Sequence, residues 1–134
     1  MRYYLAIDIG ASSGRHIVGW QENGTIMTQE VHRFPNGVQE YNGHLIWDVD
    51  ALYESVVEGI QKAFVQYPQI ESLSVDTWGV DYALLDENDQ AIGGTYCYRD
   101  SRTEATIPAV HDVIDFEHLF AKTGIAFASF NTVY

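Results

Sequence analysis

Cysteine is nearly absent: Cys97 stands alone among 134 residues, so no internal disulfide can form and no CxxC redox or metal motif exists. Basic residues are also scarce, 7 Lys and Arg against 19 Asp and Glu, for a net charge of −12. Such a surface repels phosphodiester backbones and anionic lipid, which disfavours broad nucleic-acid or membrane binding. A nucleotide is still admissible, because a ring of backbone amides and a bound magnesium override the global field locally. No apolar run is long enough to span a bilayer, and Met1-Arg2 leads straight into strand-like Tyr3-Tyr4-Leu5-Ala6-Ile7 without a signal-peptide layout. Cytosol is the simplest compartment to expect. There is no solenoid repeat, no low-complexity tract, no GK[ST] of a Walker A loop, and no HxxxH spacing among the histidines, which read as ordinary residues.

What is present reads as one globular domain, with 46% apolar and 19% charged residues. Residues 3–9 form a buried strand that closes on an acid, Asp8. A Gly/Ser turn follows, and Arg15-His16-Ile17-Val18 resumes as a second strand. Asn23-Gly24 is a hairpin signal before a third strand, Thr25 to Phe34. Pro35-Asn36-Gly37 breaks the pattern, and Asn42-Gly43 offers a second tight turn before Leu45-Ile46-Trp47. Asp48 or Asp50 can cap a helix whose Leu52, Val56, Ile60 and Phe64 repeat every four residues, ending near Tyr67-Pro68. Alternation over Ile70 to Thr77 predicts a fourth strand, and Val80 to Leu85 reads as continuing extended. Ser101 with Glu104 has the form of a capping box, predicting a helix from about Arg102 that Pro108 kinks; Asp115 caps another over 116–122, ending at Gly124. Trp20 and Trp47 read as core. The expected class is α/β: a mixed sheet of three antiparallel strands, then a helix and further strands, which is the order of a ribonuclease H-like (actin-like ATPase) domain. The apolar close at Phe130-Asn131-Thr132-Val133-Tyr134 reads as the interior of a longer chain.

Three clusters carry candidate chemistry. In Asp8-Ile9-Gly10-Ala11-Ser12-Ser13-Gly14-Arg15, glycines let main-chain N–H groups approach a phosphate, paired serines add donors, and Arg15 offers a fork of N–H groups. Asp8 at the strand end can hold Mg²⁺ through water. The plainer reading is a hairpin turn built from the usual turn residues. Asp76-Thr77-Trp78-Gly79-Val80-Asp81-Tyr82 has the aromatic, glycine and carboxylates of a sugar site, against a plainer reading of core aromatics and a bulge. In Tyr98-Arg99-Asp100-Ser101-Arg102, Arg99 or Asp100 could recognise a polyol, or the charges could merely pair around a helix start.

These strings, together with His32-Arg33-Phe34, Trp47-Asp48-Val49-Asp50 and Phe130-Asn131-Thr132, occur in this order in the rhamnulokinases, so the chain resembles that branch of the carbohydrate kinase family, which also holds glycerol, xylulose and fucose kinases. The resemblance implies transfer of the ATP γ-phosphoryl group to the primary hydroxyl of L-rhamnulose in rhamnose breakdown, with Mg²⁺. It makes Ala11, Ser12, Ser13, Gly14 and Arg15 the ATP-phosphate segment and Asp8 the acid beside the metal. Gly79 would contact the ketose, with Trp78, Asp81, Arg99 and Asp100 as further residues of the same pocket. It also implies two actin-like lobes, residues 1–134 forming the N-terminal part of the first. The catalytic base and the adenine-binding residues would lie beyond position 134, so the chain alone would not turn over. Fuculose or xylulose remain open as acceptors. From another class, Asp8, Glu54 or Glu58, and Asp76 could form the carboxylate cluster of a metal-dependent nuclease, although the charge opposes it. A non-catalytic binding module is the third alternative.

Overall fold

The computed structural model describes residues 1–134, which divide into two compact units. The first comprises Met1–Gly37 and Asp48–Gly79, the second Val38–Trp47 and Val80–Tyr134. The segment after the Pro-Asn-Gly break forms a hairpin of its own within the second unit.

In the first unit, β1 (Tyr3–Ile9), β2 (Ser13–Glu22) and β3 (Thr25–Pro35) form an antiparallel meander. Asn23 and Gly24 turn β2 into β3 with φ of 50° and 80°, the left-handed pair that a two-residue hairpin requires. Helix α1 (Val49–Gln66) starts where Asp48 accepts the Ala51 amide, and β6 (Ile70–Thr77) then pairs parallel to β1, giving the order β3-β2-β1-β6. Alternation sends Leu5, Ile7, Ile9, Val18 and Phe34 to the face that α1 covers, where they meet Ala63. Leu52, Val56 and Ile60 of the stripe read in the sequence pack on this core, and only Phe64 departs from it. Gly59 and Ala63 are the helix's buried residues and Phe64 is 39% exposed, because small residues let the helix lie close on the sheet.

His16 departs from the ordinary role expected of the histidines. It is fully buried on the covered face of β2, and an added Cβ at Gly59 would lie 2.2 Å from its ring. Its Nε2–H donates to the Val56 carbonyl at 3.0 Å, which leaves Nδ1 a buried acceptor without a partner. Burial pushes its pKa below the ordinary 6.5; the Val56 bond opposes this, and His32 and Lys62 nearby reinforce it. A depressed histidine favours the neutral form in the folded state. Stability is therefore expected to be level above pH 6.5 and to fall as pH drops from there through the lower folded value. Urea midpoints across pH 8 to 5 check this, and an H16F variant should flatten that part of the curve.

In the second unit, β4 (Val38–Tyr41) and β5 (His44–Trp47) form a hairpin through Asn42-Gly43, and β7 (Thr95–Tyr96) adds to β5. The stretch Val80 to Leu85 is not a strand: only Leu85 bridges to Ala91, around the turn closed by Asp86. Ser101–Thr103 is a single 3₁₀ turn capped by Asp100, not an α-helix capped by Ser101, since the Asp100 carboxylate takes the Arg102 amide first. Pro108 does not kink a helix. It sits in the first turn of α2 (Ile107–Val113), where its missing N–H costs nothing. Asp115 caps α3 (Phe116–Thr123), which stops at left-handed Gly124. No helix is long and apolar enough to cross a membrane.

Candidate phosphate turn and polar cluster

The Gly10–Gly14 segment joins the ends of β1 and β2, and its shape is fixed from outside. Asn36, just past β3, donates its backbone N–H to the Ser12 carbonyl at 3.0 Å and its side-chain amide to the Gly10 carbonyl at 2.8 Å. Two turn carbonyls are thereby drawn toward Asn36. The sequence marked Asn36 only as a breaker, and nothing local to Pro35-Asn36-Gly37 reveals a brace 26 residues away. Gly14 is held by packing, since a Cβ there would come 2.0 Å from Phe34 Cζ.

Asp8 and Arg15 are register partners on the uncovered face, and Arg15 forks onto one carboxylate oxygen through Nε at 2.8 Å and Nη2 at 2.6 Å. Asp76 is the register partner of Asp8 on the other side. Arg33 is the partner of Arg15 on β3, so Asp76, Asp8, Arg15 and Arg33 form one row across four strands. Glu58 pairs with Lys62 on α1, against the opposite face. No group of three or more acidic, His or Cys side chains is placed to hold a metal, so the nuclease cluster of Asp8, Glu54 or Glu58, and Asp76 does not form. The alternation that buries Ile7 and Ile9 under α1 turns Asp8 away from it.

The remaining site residues fall in both units. Trp78 packs against the core of the first unit, and Gly79 is exposed, with nothing within 4 Å of where a Cβ would stand. Val80 has φ of 72°, a strained conformation for a β-branched residue. In the second unit Asp81 accepts from Trp47 Nε1 at 2.6 Å and lines a small cleft with Tyr98, Asp100, Arg102 and Asn131. Asp100 is buried, receiving the amides of Leu45 at 2.7 Å and Arg102 at 2.9 Å and the His44 ring at 3.2 Å. Arg99 is exposed, its Nε on the Tyr98 hydroxyl at 3.1 Å.

Residues 3–134 match the model of the FGGY family of carbohydrate kinases, N-terminal domain. The chain belongs to the FGGY family of carbohydrate kinases. Among curated relatives, the rhamnulokinase of Oceanobacillus iheyensis is 45% identical over 130 residues, covering 97% of this chain and 28% of the relative. That of Bacillus subtilis is 42% identical over 131 residues, covering 98% and 27%. The chain thus spans little more than a quarter of the length of these FGGY proteins. Ligand-bound xylulose kinase from Lactobacillus acidophilus superposes with a TM-score of 0.75 at 15% identity, over 92% of this chain and 25% of that one. Plasmodium falciparum glycerol kinase with ADP gives 0.67 at 17%, over 98% and 27%. At such identities the likeness is one of fold, and it agrees with the actin-like α/β class read from element order.

Proposed function

We propose that this chain supplies the ATP-phosphate-binding part, and some of the sugar pocket, of a kinase that phosphorylates the primary hydroxyl of L-rhamnulose to give L-rhamnulose 1-phosphate. The carrying observation is end-to-end identity of 38–45% to proteins named rhamnulokinase. The geometry of the turn is consistent with it. Phosphoryl transfer asks a protein chiefly to position phosphates and neutralise charge. In this reading Ala11 to Gly14 present main-chain and hydroxyl donors, and Arg15, already oriented by Asp8, presents its guanidinium to a phosphate oxygen.

Asp8 and Asp76, adjacent in register, are hard carboxylate donors of the kind that hold Mg²⁺ through water, so the residues present fit that ion. Bound there, magnesium would screen the phosphate charge. Gly79, open on its Cβ side, lets a ketose approach the main chain, with Trp78, Asp81, Arg99 and Asp100 as further pocket residues. Asp100 would act through the arrangement it imposes, because its carboxylate is already occupied. The base that takes the hydroxyl proton would come from outside residues 1–134, and a cytosolic setting suits a rhamnose-breakdown role.

The test is ADP release from Mg-ATP by the full reading frame's product against a ketose panel including L-rhamnulose, L-fuculose and D-xylulose. The highest kcat/KM is expected on L-rhamnulose. A preference for another ketose would overturn the substrate assignment, and no turnover on any sugar by a folded protein would overturn the kinase.

A further inference from the structure

A second arginine stands beside the turn, and the fold takes trouble to aim it. β3 carries a register shift: His32 pairs with His16, but Glu30 pairs with Ile17, so Val31 is an extra residue in the strand. In a regular strand, residues three apart point to opposite faces. The bulge brings Glu30 onto the face of Arg33, and such devices re-aim side chains. Glu30 then grips Arg33 in a two-point fork, Nε to Oε1 at 3.0 Å and Nη2 to Oε2 at 2.6 Å. The remaining nitrogen, Nη1, reaches Ser13 Oγ in the turn at 3.5 Å. Arg15 beside it is held by Asp8 through the same two nitrogens, Nε and Nη2, on a single carboxylate oxygen.

Two of the chain's 7 basic residues therefore sit side by side on adjacent strands at the turn, each oriented by a carboxylate, in a protein of net charge −12. Surface ion pairs contribute little to stability, so stability is a weak reason for this arrangement. With Nε and Nη2 held by carboxylates, each guanidinium keeps Nη1 for a further acceptor, and two such groups side by side match a polyphosphate better than a single phosphate group.

We propose that Arg33 is a second phosphate-binding guanidinium of the turn, and that Glu30 and the bulge at Val31 position it for the polyphosphate of the nucleotide. This rests on the reading of Gly10–Arg15 as the ATP-phosphate turn.

The test uses the full-length protein with R33A, R33K, E30Q and R15A variants, reading KM for ATP, KM for the sugar, and direct binding of Mg-ATP and of adenosine. R33A is expected to raise KM for ATP about tenfold, the worth of one charge-assisted hydrogen bond. Sugar KM and adenosine affinity should stay put. R33K, which keeps the charge without the fork, and E30Q, which loosens the grip, should fall between R33A and wild type. Arg33 is exposed, so the urea midpoint should not move. An R33A enzyme within twofold of wild type in KM for ATP, while R15A is impaired, would sink the proposal and leave the turn intact. If R15A is also unimpaired, the phosphate reading itself fails and takes Arg33 with it. An equal loss of adenosine and ATP binding by R33A would likewise overturn it, since that marks general damage.

Discussion

Replacing Gly14 by alanine is expected to cost about 3 kcal/mol of stability, the upper end of what overpacking a core does. The added Cβ would lie 2.0, 2.5 and 2.7 Å from three atoms of the Phe34 ring. Those are ring atoms of a buried side chain, and the ring has little room to retreat. Phe34 is 4% exposed, with His16 and His32 each at a centroid distance of 6.0 Å. Without that ring the substitution would be mildly favourable, because Gly14 is not in the left-handed region and alanine restricts the unfolded chain. The double variant G14A/F34L should accordingly lose less than the two single costs added together. Urea midpoints of the four proteins give the coupling, and strict additivity would show that the clash is not what makes glycine necessary. If the turn binds phosphate as proposed, its shift should raise KM for ATP in G14A, with partial recovery in the double variant. Gly14 would then serve the nucleotide through packing beneath the turn as well as through backbone access above it.

The glycine illustrates how far the sequence could be read. Its presence in a Gly/Ser turn after an acid-ended strand was visible, and so were the Asn-Gly hairpins, the Asp48 cap and the Gly124 stop. Each of those depends on residues within a few positions of one another, where local sterics decide. What was not visible depends on partners far along the chain. Phe34 lies beneath Gly14, Asn36 braces Gly10, and His16 sits on Val56 and Gly59. Residue types alone cannot predict such pairs, because a histidine or asparagine is compatible with many environments. The bulge at Val31 was hidden for a different reason: a one-residue register shift leaves no trace in a strand as polar as Thr25–Pro35. The sequence favours Ser101 as the cap because Ser and Asp are both good caps, and only the fold's use of Asp100 from three directions decides between them.

That convergence on Asp100 makes its removal the other large effect expected. Asp100→Ala strips the cap from the 3₁₀ turn and leaves the Leu45 amide, part of the β5 strand, without its acceptor. A lost cap costs about 1 kcal/mol and an unsatisfied buried donor about 1–3, so a loss of about 3 kcal/mol is expected. Asp100→Asn should recover part of this, since its amide oxygen can accept one backbone N–H but not two with the His44 ring as well. Burial by itself would raise the Asp100 carboxyl; the amides of Leu45 and Arg102 and the His44 ring outweigh it and hold the pKa below 3.8. A depressed carboxyl contributes stability that is complete above its unfolded value and disappears as pH falls through the folded one. The gap between wild type and D100N should therefore be constant from pH 7 to about 5 and narrow below pH 3.8. A gap that persists unchanged to pH 2 would mean that the charge contributes nothing and that only shape matters. The same pair of variants separates the two roles open to this residue in the proposed sugar pocket. If Asp100 acts by holding β5 and the 3₁₀ turn, ketose KM should track the lost stability across D100A and D100N. If its carboxylate binds a sugar hydroxyl directly, D100N should lose ketose affinity out of proportion to its small change in urea midpoint.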